Sequence, residues 1–234
     1  MPASGYRPWT SSPLTTWSGP AGYSVPSDAA NSRIFGATTS TAHHRRSNSR
    51  ATSPPALGSF RGGRVRIALT EADRQAVRAL ARQHSATPYS VLVAAFMVWI
   101  ASYGRQRDMV VGAVTAGRNH PSVERTIGNF ANMVALRCQL GDDPTFEELV
   151  VRTRDEIRTV VDHAALYFPE VVNAVKPERV GSRNPVFQAA VTLYDGDVTP
   201  LEVEGAHVHN LPVDPGSAKF DLLASFVDAG LRRC

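Results

Sequence analysis

The chain has few of the residues that staple, coordinate or span. Of its 234 residues only two are cysteines, Cys138 and Cys234. Neither the count nor the spacing supports a disulfide framework or a zinc knuckle. Cys138 falls in an alternating apolar stretch and reads as a small core residue. A reducing cytoplasm is the simplest compartment for such a chain. The longest apolar run, Val91–Ala101, is far short of the ~20 residues that a bilayer span requires. The N-terminus lacks the apolar core of a secretory signal. No Gly-x-Ser-x-Gly elbow is present, and Arg61-Gly62-Gly63-Arg64 lacks the Gly-Lys-Thr chemistry of a phosphate loop. It reads as a flexible lead-in to the first strand.

Acidic residues are almost missing from the first 66 positions. That segment holds eight arginines and the single acid Asp28, a net charge of +7. The remainder holds 17 basic and 20 acidic residues, a net charge of −3. The sequence pI of 9.4 therefore belongs to the leader, and the body gives no argument for nucleic acid. Residues 1–58 are rich in Ser, Thr, Pro, Gly and Ala and show no apolar periodicity. Such a segment buries too little surface to offset its chain entropy, so disorder is expected there. Order is expected from Ser59 to the end, as one domain over 59–234.

Arg64–Leu69 alternates like a strand, with Val65, Ile67 and Leu69 on one side. Thr70 then caps a helix, with Asp73 as a weak capping-box partner. Thr87-Pro88 opens a second helix, Pro88–Tyr103. That helix is apolar nearly all round, which predicts burial on most faces, and Gly104 is placed to end it in a left-handed cap. Met109–Val114 reads as a buried strand and Met133–Leu140 as an alternating one. Thr145 and Glu148 form a stronger capping box for a long amphipathic helix. A short helix follows over Pro169–Val175, then a strand over Phe187–Tyr194 and a turn at Asp195-Gly196-Asp197. Short strands are expected at Leu201–Val203 and His207–Leu211, and Phe220–Val227 closes the sheet. The mixed order predicts an α/β (α+β) sandwich, a mixed sheet with helices packed on it.

Four stretches stand out in sequence order. They are Asp108–Gly112 with Ala116-Gly117-Arg118, then Ile127–Arg137, then Ser182–Gln188, and finally Ala218-Lys219-Phe220-Asp221-Leu222. Together they resemble the Asp-x-Val-Val-Gly…Ala-Gly-Arg, Ile-Gly-x-Phe-Val-Asn-Thr-x-x-x-Arg, Ser-Arg-x-Pro-Leu-Phe-Gln and Lys-Phe-Asp-Leu landmarks of the condensation domains of nonribosomal peptide synthetases. The resemblance covers about residues 55–229. It implies the C-terminal lobe of a chloramphenicol-acetyltransferase-like fold, in which two similar lobes form a V around a channel. It also implies amide formation between acyl groups that carrier proteins hold on phosphopantetheine, with a histidine assisting the attacking amine. Carrier domains and other synthetase modules are the implied partners. No cofactor or metal is implied on this chain itself.

The family's His-His-x-x-x-Asp-Gly motif belongs to the half of the domain that this resemblance does not reach. His43-His44-Arg45-Arg46-Ser47-Asn48-Ser49 echoes it, but an amide replaces the acid and a serine the glycine. It also lies too near the next landmark, and it reads as a solvated basic tract. In the family the Ala-Gly-Arg arginine pairs with the motif's aspartate, so Arg118, lacking that acid, is expected to be unpaired or turned to solvent. Asn132 and Arg183 match positions near the lobe junction whose expected role is to order loops by hydrogen bonding, and Asn184 is carried with them as a structural or channel residue of the motif. Asp221 is expected to support a strand end. The family's His-Gln-Asp-x-Pro-Phe-Glu appears here as His163–Glu170 with its polar pair replaced by alanines, and Met133 stands for a threonine. The family pattern continues beyond the position of Cys234, so the resemblance implies a lobe cut short. His163 reads as a surface or packing residue. His207 and His209 share a strand face without a third ligand, so no metal is expected.

The expectation is a partial condensation domain that does not catalyse alone, completed by a polypeptide that supplies the N-terminal lobe. The alternatives are a docking module that binds carriers, a gene remnant, and a stand-alone acyltransferase of the same fold. Membrane and nucleic acid are not expected partners.

Overall fold

A computed structural model describes residues 60–118, 121–164, 166–177, 184–195, 205 and 213–228. The leader, the His43–Ser49 tract, Arg183, the expected strands at 201–203 and 207–211 with their two histidines, and Cys234 lie outside the described residues. The element order is α1 (Glu71–Gln83), α2 (Pro88–Gly104), β1 (Asp108–Thr115), α3 (Pro121–Glu124) and β2 (Asn132–Gln139). Next come α4 (Phe146–Asp162), α5 (Phe168–Val175), β3 (Ala189–Asp195) and β4 (Leu222–Asp228). Among the described residues a four-stranded mixed sheet runs β2-β1-β3-β4. β1 and β2 are antiparallel, with Asp108 opposite Gln139 and Thr115 opposite Asn132. β3 runs parallel to β1, and β4 parallel to β3.

Local chemistry fixes the helix ends. Thr70 accepts from the Asp73 N–H while Asp73 accepts from the Thr70 N–H, so this capping box is complete. Thr145 and Glu148 form the second box. Thr87 caps α2, with Pro88 in its first turn. Helix α2 ends one residue later than its glycine suggests: Gly104 is still helical, and Arg105 takes the left-handed conformation at φ 50°. The break between α1 and α2 turns the chain by 106°. Among the described residues no single helix is long and apolar enough to cross a membrane.

The core lies on one face of the sheet. Alternation sends Met109, Val111 and Ala113 of β1 and Val134, Leu136 and Cys138 of β2 toward Val93, Met97, Leu149 and Val150 of α2 and α4. A fully buried side chain of this kind contributes about 1.5–3 kcal/mol. Two expectations fail. Helix α2 keeps Val98, Trp99 and Tyr103 exposed, because only one side of it meets the sheet, α1 and α4. Arg64–Leu69 is not a strand. Among the described residues no segment pairs with it as a strand, and Val65 and Ile67 are 85% and 84% exposed. A strand pattern needs a sheet edge to become a strand.

Candidate functional site

At the end where β1 leaves the sheet, Gly117 turns with φ 64°, and a Cβ there would lie 1.7 Å from the Phe130 carbonyl oxygen. Only glycine fits that approach. The next residue, Arg118, reaches into the loop that follows. Its guanidinium donates to the carbonyls of Val123 at 2.5 Å, Thr126 at 2.8 Å and Gly128 at 3.1 Å. It also lies over the Phe130 ring, 4.7 Å from the centroid. Arg118 is therefore neither unpaired nor simply turned to solvent. Its fork of donors suits a ring of carbonyls as well as it suits a carboxylate. The exposed Ile127 rides on the loop it holds, at the start of the Ile127–Arg137 landmark.

Asn132 opens β2 on the same end of the sheet and is buried. Its Nδ2 donates to the carbonyls of Ala164 at 3.2 Å and Leu166 at 2.8 Å, just past α4. Its Oδ1 accepts from the N–H of Phe168, the first residue of α5, at 3.1 Å. Tyr167, at the N-cap position of α5, makes no side-chain cap of its own. Asn132 thus satisfies orphan groups at the end of one helix and the start of the next. These three hydrogen bonds tie the connection between α4 and α5 to the start of β2. Because Asn132 grips backbone groups, the alanine at 164 leaves this connection intact.

Asn184 and Asp221 lie at the other end, ahead of β3 and β4. Asn184 donates to the Lys219 carbonyl at 2.8 Å and its own carbonyl accepts from Gln188 at 3.0 Å. The Leu222 N–H donates to the Gln188 carbonyl at 3.3 Å, so this knot fixes where β4 begins, next to Asp221. The structure therefore divides the matched residues into two groups. Arg118 and Asn132 share one end of the sheet, and Asn184 and Asp221 the other.

A row of rings joins them. Phe168 lies 5.1 Å from Phe187, and Phe187 lies 6.0 Å from Phe220. Phe187 is 1% exposed and sits on Gly112 of β1, where a Cβ would come within 2.2 Å of the ring. Sequence reading missed this row. Part of the signal was available, because two of the landmarks place Phe187 near Asn184 and Phe220 beside Asp221.

Little in the described residues can do acid–base or nucleophilic chemistry. Burial pushes the Cys138 thiol up to about 12, the opposite of an activated nucleophile. Burial also pushes the Tyr89 hydroxyl up to about 12. The His163 Nδ1 is engaged by the Thr159 carbonyl at 2.7 Å, a local helix contact. No group of three or more metal-ligating side chains occurs among the described residues.

The model of the condensation domain matches residues 44–226. The chain belongs to the condensation-domain family. That match begins at His44, ahead of Ser59. Malpinin synthetase of Mortierella alpina is 36% identical over 171 residues, which is 73% of this chain and 2% of that protein. Tyrocidine synthase 2 of Brevibacillus parabrevis is 34% identical over 182 residues, 77% of this chain and 5% of that protein. The chain thus spans a small fraction of the curated relatives it matches. Among solved structures, a holo four-domain nonribosomal peptide synthetase bound to AMP and glycine superposes with a TM-score of 0.76 at 22% identity, covering 86% of this chain and 16% of that one. The X-domain of teicoplanin biosynthesis, solved with OxyB, gives 0.73 at 23% identity, covering 83% of this chain and 42% of that one. These two show the fold, an α/β architecture of the condensation-domain type, and the family carries the nonribosomal peptide synthetase relationship.

Proposed function

We propose that residues 59–234 supply the C-terminal lobe of a condensation domain that forms an amide between carrier-bound acyl and aminoacyl groups. The observation that supports this reading is that two family-matched residues, Arg118 and Asn132, hold backbone groups at one end of the sheet. On this reading Arg118, Asn132, Asn184 and Asp221, together with Arg183, shape the lobe and its channel wall. None of them is a catalytic residue. The histidine that assists the amine comes from the other lobe, whether in a longer form of the same polypeptide or in a separate one. Positioning two tethered substrates supplies much of such a rate, so half a channel does not catalyse on its own. Phosphopantetheine enters as the tether on carrier domains, which are the partners along with neighbouring synthetase modules, and the cytoplasm is the compartment.

The test is an amide-forming assay with two loaded carrier proteins, read by intact mass. The 234-residue chain alone is expected to give no product, and product is expected once an N-terminal lobe bearing His-His-x-x-x-Asp-Gly is supplied. Turnover by the chain alone would favour a stand-alone acyltransferase and sink the split reading. Carrier binding without turnover, even with the second lobe present, would identify a docking module. Neither binding nor turnover would identify a remnant.

A further inference from the structure

We draw no further inference here: the strongest candidate, the exposed apolar stripe of Val98, Trp99 and Tyr103 on the open side of helix α2, is a helix face for which nothing in the structure shows what covers it.

Discussion

The Asn132 amide accepts the first N–H of helix α5, that of Phe168, across 36 residues of sequence, while donating to two carbonyls behind it. One buried side chain therefore serves as N-cap to α5 and as end-cap to the connection from α4. Asn132→Ala leaves these groups without a protein partner, and a cost of about 2–4 kcal/mol is expected. Asn132→Asp is expected to cost at least as much, because a carboxylate then faces the Ala164 and Leu166 carbonyls with no donor between them. Urea unfolding at neutral pH measures both. A cost below about 0.5 kcal/mol for either variant would remove Asn132 from the role of a cap.

Gly112 and Phe187 form a second pair, in which a glycine makes room for a ring. Gly112→Ala puts a methyl where the ring already stands, so a loss of about 2–3 kcal/mol is expected. Phe187→Leu in the same chain should return part of that loss. The two changes should therefore be less than additive in a double-mutant cycle. Strict additivity would mean that the close approach is not what selects glycine here.

The elements with their own local signals were legible in the sequence. Thr70 with Asp73 and Thr145 with Glu148 announced two helices, the alternation of Val134, Leu136 and Cys138 announced β2, and the Val-rich run from Met109 announced β1. What failed depended on neighbours. Val65, Ile67 and Leu69 carry the strand pattern, but the pattern does not say whether an edge lies beside it. Trp99 and Tyr103 are as apolar as the buried Phe96 and Met97, so composition alone did not distinguish the open side of α2. Arg118 was misjudged for a similar reason. Its family partner was missing from the expected place, and sequence does not show that a nearby loop offers the same guanidinium a set of carbonyls.

The Arg118 network makes a prediction of its own. Arg118→Lys keeps the charge but replaces a planar fork with one point donor, so most of the carbonyl bonds should be lost. Amide hydrogen exchange is expected to rise across residues 123–131, while protection in β1, β2 and α4 stays unchanged. Arg118→Ala should look the same or worse in the loop, with the Phe130 ring also uncovered. Unchanged exchange in the lysine variant would mean that the backbone turn at Gly117, and not the guanidinium, holds the loop.

Glu156 gives stability a pH dependence with an unusual sign. Burial pushes its carboxyl above the ordinary value, against the lowering pull of the Arg137 N–H and guanidinium. A raised carboxyl binds its proton more tightly in the folded chain than in the unfolded one. Its contribution to stability is therefore greatest at low pH and is lost as pH rises through the raised folded value. The exposed carboxylates Asp142 and Glu148, which are held low by Arg152 and Thr145 respectively, slope the other way. The whole-protein curve mixes both signs, so the difference between wild type and Glu156→Gln is the informative quantity. Glutamine keeps the acceptor for the Arg137 N–H and removes the buried charge. Glu156→Gln is expected to be the more stable protein at neutral pH, with the gap closing as the pH falls toward about 4, where Glu156 is itself protonated in both states. Paired urea titrations over that range measure the gap. A gap that widened on acidification would mean that the pull of Arg137, whose N–H donates to this carboxylate at 3.1 Å, outweighs burial.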